Sequence, residues 1–274
     1  MAQIICLANS KKHGERCIAG IETSTGKWIR PVSNLDDGRV PRDICLVNGE
    51  EPKPLDILEI PLAITGSGYE CENCSILPGR WRRVGQASLT DLVQYCEQEI
   101  IHSQWLNAVP FSFLQSLPLH QRRTLQLIRT TKLSVFKYQD TGKWEASLPT
   151  VNEQRMRAKI TDLNLIDKLN QGITPKNECL VTISLGQPWR RTDAEELFCW
   201  KLIAGVIELS VSDSIWFEMK RVGWSVDRGQ EYLQRTYNKR SRQQLTPNEM
   251  SQFLSYLKSL PTPTSSSSDN IDIC

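Results

Sequence analysis

Between Ile4 and about Ile64 the chain never carries an apolar run far before a glycine, proline or polar turn interrupts it, and this punctuation limits the fold more than any other feature. Ile4-Ile5-Cys6-Leu7-Ala8 is followed by the turn Lys11-Lys12-His13-Gly14-Glu15-Arg16 and then by Cys17-Ile18-Ala19-Gly20-Ile21. Gly26 can take the positive φ that a hairpin needs before Lys27-Trp28-Ile29-Arg30, and Pro31 confines that strand to an edge or ends it. Leu55 to Leu62 alternates like a half-buried strand. Several short strands with such turns predict a sandwich or small barrel.

An internal echo extends the pattern. Thr25-Gly26-Lys27-Trp28 recurs as Thr141-Gly142-Lys143-Trp144, each copy after a strand-like run and each followed by a proline within five residues. With β patterning on both sides, the echo favours two related β modules joined between about 110 and 130. Between them, Ser88 and Asp91 open a short helical segment through Cys96. The run Phe198 to Leu209 suits either a strand or a buried helix. From Ser225 the chain reads as helical: Ser225 or Asp227 caps a helix ending near Asn238, and Thr246-Pro247-Asn248-Glu249 is a capping box opening a second. Pro261 and the serines after it read as a disordered linker.

Three of the eight tryptophans stand two residues before an arginine: Trp28 with Arg30, Trp81 with Arg83, and Trp189 with Arg191, while Trp200-Lys201 is a looser fourth. On a strand, residues i and i+2 share a face. Each pair therefore puts a stacking surface beside a phosphate-gripping guanidinium, or else a core ring beside a rim charge that reaches water. Arg155, Arg157 and Lys159 alternate along one strand face, which is either solvated or follows a phosphate backbone. Lys239, Arg240 and Arg242 belong to a basic turn between the helices, with the same two readings.

The net charge of +2 is too small for global steering, so any basic footprint is local. No apolar run reaches membrane length, and the N-terminus enters a strand with no basic leader, which predicts a cytoplasmic protein. Nine cysteines in such a chain read as reduced thiols. Cys71-Glu72-Asn73-Cys74 is the one weak zinc candidate; it lacks a second pair, and no cofactor is implied. No nucleotide loop, nucleophile elbow or paired-histidine metal motif is present, which argues against an enzyme, with a dispersed acidic site acting on RNA or DNA left as an alternative.

The segments Ile5 to Lys12, Arg16 to Gly20, Lys27 to Ser33, Ser184 to Trp189 and Cys199 to Gly205 resemble a bacterial dual-OB domain family over about residues 3–209. Tyr237 to Arg242 with Leu245 to Met250 resembles a small helical module appended to assorted bacterial, notably cyanobacterial, proteins, with Asn238 in place of the usual glycine. The resemblance implies a mixed, mainly β fold of two tandem OB-like β-barrels followed by a C-terminal helical hairpin. The expected boundaries are 1–120 for the first barrel with a helical insertion, 121–212 for the second, 213–260 for the hairpin and 261–274 for the tail. The implied function is binding of single-stranded or structured DNA or RNA in a bacterial repair or defence pathway. The alternative is a non-catalytic subunit that meets protein partners, for which the C-terminal module or tail also offers a surface.

Overall fold

The computed structural model describes residues 1–63, 70–139, 141–190 and 195–263. The chain divides into two compact units, Met1–Glu208 and the segment from Leu209 onward. In the first unit, β1 (Ala2–Lys12), β2 (Glu15–Glu22) and β3 (Trp28–Val32) form an antiparallel meander, followed by the short helix α1 (Arg42–Cys45). Strands β4 (Asp56–Ile60), β5 (Leu62–Ala63), β6 (Asn73–Ile76) and β7 (Arg82–Gln86) complete a seven-stranded sheet in the order β5-β6-β3-β2-β1-β4-β7. The segment Leu89–Tyr95 is a 3-10 turn capped by Ser88 as expected, and Asp91 completes a capping box.

A second sheet is built from β8 (Cys96–Glu97), β9 (Ala108–Pro110), β10 (Leu125–Thr130), β11 (Ser134–Lys137), β12 (Trp144–Pro149), β13 (Arg155–Ile160), β14 (Cys179–Leu185), β15 (Trp189–Arg190) and β16 (Leu197–Glu208). Helix α2 (Phe111–Ser116) follows β9, and α3 (Leu163–Asn170) follows β13. The sheet runs β11-β12-β13-β16-β14-β10-β8, and β9 and β15 both pair with β16. Sheet membership thus changes between β7 and β8, upstream of the boundary expected at residue 120. The ambiguous run from Phe198 is a strand, because its alternate residues Cys199, Lys201 and Ile203 are buried while Trp200 is exposed.

The repeated tetrapeptide marks the same hairpin in both sheets. Glu22 N donates to Lys27 O (2.9 Å) and Gly26 N to Glu22 O (2.8 Å); Tyr138 N donates to Lys143 O (2.8 Å) and Gly142 N to Tyr138 O (2.8 Å). Both glycines have positive φ, 69° and 63°. Trp28 then pairs with Ile21 as Trp144 pairs with Lys137.

Each sheet wraps its own core. Ile4, Ile18, Leu58, Ile60 and Trp81 fill the first, and Leu148, Met156, Ile160, Val181 and Ile203 fill the second. The two sheets meet through small residues, Ala8, Ala19 and Ala204. At this seam β1 carries a bulge between Cys6 and Ala8, and Leu7 O accepts from Thr182 Oγ1 of the second sheet at 2.8 Å.

Among the described residues the C-terminal unit contains three α-helices, α4 (Val211–Arg221), α5 (Val226–Tyr237) and α6 (Pro247–Ser259), one more than the expected hairpin. Helix α4 has a capping box at Ser210 and Asp213, residues three apart in sequence as that motif requires. Asn238 ends α5 in the left-handed conformation (φ 55°), and Thr246 with Glu249 caps α6, both as expected. Ile215, Trp224, Leu233, Phe253 and Leu257 form their common core.

Candidate functional site

Strand register builds one exposed face on the second barrel. Trp189 of β15 stands opposite Phe198 of β16, and cross-strand partners share a face, as do residues two apart, so Trp189, Phe198, Trp200 and Leu202 lie together. Lys159 of β13 pairs with Leu202, and Arg157 joins the same face two residues earlier. Glu145 pairs with Lys159 and Phe136 with Glu145, carrying the face across β12 to β11. Trp189 is 56% exposed and Trp200 is 37% exposed, far above what a core ring shows.

Two adjoining clefts open on this face, of about 400 and 860 Å3, and His13, Lys159, Trp189 and Leu202 line both. The β1–β2 turn brings Lys11 and Lys12 to the smaller, and the second hairpin brings Tyr138 and Lys143 to the larger. Burial, with Lys143 and Lys11 close by, holds the Lys159 amine below the usual lysine value. A bound anion would relieve this crowding of positive charge. Arg157 lies over the Phe136 ring (4.8 Å) and donates to Glu145 Oε2 at 3.3 Å. At the end of the strand, Arg155 is held by Ser147 Oγ (2.8 Å) and Ser134 Oγ (3.2 Å).

Behind Trp200, Lys201 turns inward, and its ammonium donates to Trp105 O (2.8 Å) and His102 O (3.2 Å). Desolvation lowers its pKa to about 8. An unfolded chain has an ordinary lysine, so between about pH 8 and 10.4 this side chain binds more protons unfolded than folded, and the Lys201 contribution to stability rises with pH across that window, against the opposite slope of the buried thiols. Lys201→Met is expected to remove this contribution, as read by urea denaturation at intervals through the window.

The other expected binding residues are placed differently. Trp28 is half-buried, with its ring against Ala8, Ala19, Leu125 and Ala204 where the barrels meet. Arg30 shares that face and is buried, yet it also lines the smaller cleft together with Glu70: it pairs with Glu70 Oε1 (2.8 Å) and donates to Asn73 Oδ1 (3.1 Å) and Thr124 Oγ1 (3.0 Å). Trp81 is a core ring, 4% exposed, and packs against Ile4 and Leu58 in the first barrel's cluster instead of offering a stacking surface. Arg83 is held by Asp56 at 2.9 Å. Arg191 lies outside the described residues.

In the C-terminal unit Lys239 pairs with Glu249 (2.5 Å), Arg240 is exposed, and Arg242 lies over Trp216 and donates to Ser212 O (2.9 Å). Cys74 is buried and Cys71 half-buried, and desolvation beside Glu72 raises the Cys71 thiol to about 12. Among the described residues no group of three or more His, Cys, Asp or Glu is placed to hold a metal ion. Lys11, Lys12 and Lys143 were missed by the sequence reading. Their only signal was position in a polar turn, which most surface lysines share.

Over 46 residues the chain is 50% identical to an uncharacterized protein of Synechocystis sp., a stretch covering 17% of this chain and 16% of that protein, so the match spans a small part of the relative's length. No helix among the described residues is long and apolar enough to cross a membrane. Two β modules with a repeated hairpin agree with a family match that covers well over half the chain: the model described as dual OB-containing domain matches residues 2–206, and the chain belongs to that family.

Proposed function

We propose that the protein binds single-stranded nucleic acid along the outer face of the second barrel. The observation that carries this reading is the exposure of Trp189 and Trp200 on one strand ribbon, bordered by Lys11, Lys143, Arg157 and Lys159 around continuous clefts. Exposed rings stack bases whatever their identity, and the cations follow the phosphates. Single strands are exposed during repair and in defence against foreign nucleic acid, the setting in which such a protein would act.

Fluorescence anisotropy with a labelled oligonucleotide tests it. Three or four neutralised phosphates predict that log Kobs falls against log salt with a slope of about −2 to −3. Removing one stacking ring costs about 1–3 kcal/mol per base, so Trp189→Ala or Trp200→Ala is expected to weaken binding by about fivefold to 150-fold with the melting temperature little changed. Lys159→Ala is expected to reduce the slope by about 0.7. Absence of binding at low salt overturns the proposal and leaves the face to a protein partner.

A further inference from the structure

The C-terminal unit has a cavity of about 200 Å3 that opens to solvent, smaller than the roughly 300–1,000 Å3 of pockets that hold drug-sized ligands and suited to one large apolar side chain. Met219, Val226, Leu233 and Phe253 make its wall apolar. Two polar side chains in the lining keep hydrogen-bonding capacity to spare. Trp216 has a buried indole Nε1–H with no acceptor. The Arg242 guanidinium sits 5.4 Å from the centre of the Trp216 ring with one backbone carbonyl, Ser212 O, as its acceptor, and Asp213 is near enough to favour its charge without closing an ion pair among the described residues. A half-buried cation and an orphan donor beside an apolar hole are complementary to a group carrying both a carboxylate and a hydrocarbon.

We propose that this cavity captures the carboxyl terminus of an acidic partner peptide ending in a bulky apolar residue. The terminal carboxylate meets Arg242 and the Trp216 indole N–H, and the last side chain fills the cavity. Exposed Arg240, next in sequence to the lining residues Ser241 and Arg242, favours acidic residues upstream of the terminus, which a free fatty acid lacks. A phosphate group would satisfy the arginine and leave the apolar cavity empty. The site lies in the C-terminal unit and does not depend on the nucleic-acid reading of the barrels.

The test is anisotropy of the full chain with a peptide of sequence Asp-Asp-Glu-Asp-Gly-Phe, labelled at its N-terminus, with either a free or an amidated C-terminus. The free form is expected to bind, and amidation, Phe→Ala in the peptide or Arg242→Gln in the protein each to weaken binding by about tenfold or more. Equal binding of the free and amidated peptides overturns the proposal, as does an unchanged affinity for Arg242→Gln. Octanoate is expected to compete poorly. Should it displace the labelled peptide as well as unlabelled peptide does, the cavity belongs to small apolar acids and the peptide assignment fails. If Arg242→Gln does not fold, the comparison of free and amidated peptide on the unaltered protein decides alone.

Discussion

Gly205→Ala is expected to destabilise the two-barrel unit by about 3 kcal/mol or more, at the upper end of what overpacking costs. A Cβ on Gly205 would lie 2.0 Å from Leu7 O and 3.4 Å from the Ala8 Cα, and those atoms are backbone. The carbonyl cannot retreat cheaply, because it also accepts the Thr182 hydroxyl and belongs to the bulge of a central strand. Gly20 faces the same obstacle, with an added Cβ 2.1 Å from Ile5 O. For a unit of this size the loss corresponds to a melting temperature lower by about 6–12 °C. Gly85→Ala is the control: it also lies on a strand, and its Cβ would make only an ordinary 3.5 Å contact with Ile57. Scanning calorimetry checks both, and a Gly205→Ala protein that melts with the unaltered one refutes the account of the seam.

Arg30→Ala is expected to cost about 3–5 kcal/mol, the usual result of removing one partner from a buried ion pair. The guanidinium joins Glu70 and Asn73 on the first-sheet side to Thr124 and, at 3.4 Å, to Ser184 of β14 on the other. Its removal leaves the Glu70 carboxylate without that charge and opens the bridge between barrels. Arg30→Lys keeps the charge and loses the fork, so an intermediate loss is expected. Urea denaturation gives the stability. Oligonucleotide affinity per folded molecule gives the contrast: Arg30 lies in the wall of the smaller cleft with its guanidinium committed to Glu70, so affinity should fall less for Arg30→Ala than for Trp189→Ala. A stable Arg30→Ala protein with weakened binding would return Arg30 to the nucleic-acid interface.

Much of the fold was legible because it rests on local chemistry. The turn at His13-Gly14, the Thr-Gly-Lys-Trp hairpins, the Ser88, Ser225 and Thr246 caps and the left-handed Asn238 all depend on neighbours within a few residues. The third helix was missed although Ser210 and Asp213 announce it. A second echo was also within reach: Ile18-Ala19-Gly20 and Ile203-Ala204-Gly205 supply the small residues of the seam. Repetition of Ala-Gly within strand-like runs signals close backbone approach, since side chains there would keep the sheets apart.

The triplets Trp28/Arg30, Trp81/Arg83 and Trp189/Arg191 show where local reasoning stops. Period-two spacing correctly put each tryptophan and arginine of the first two pairs in or beside strands, but it is blind to what lies against the face they share. For Trp28 and Arg30 that face is the seam between barrels, and for Trp81 the position is the first core. Trp189 stays in solvent because it stands on a two-residue strand paired to the outer half of β16. Strand, turn and cap were therefore settled by residues adjacent in sequence, whereas the choice of exposed ring and the gathering of Lys11, Lys143 and Lys159 required contacts spanning more than a hundred residues. Exposure is a property of the packed sheets, and no single strand carries it.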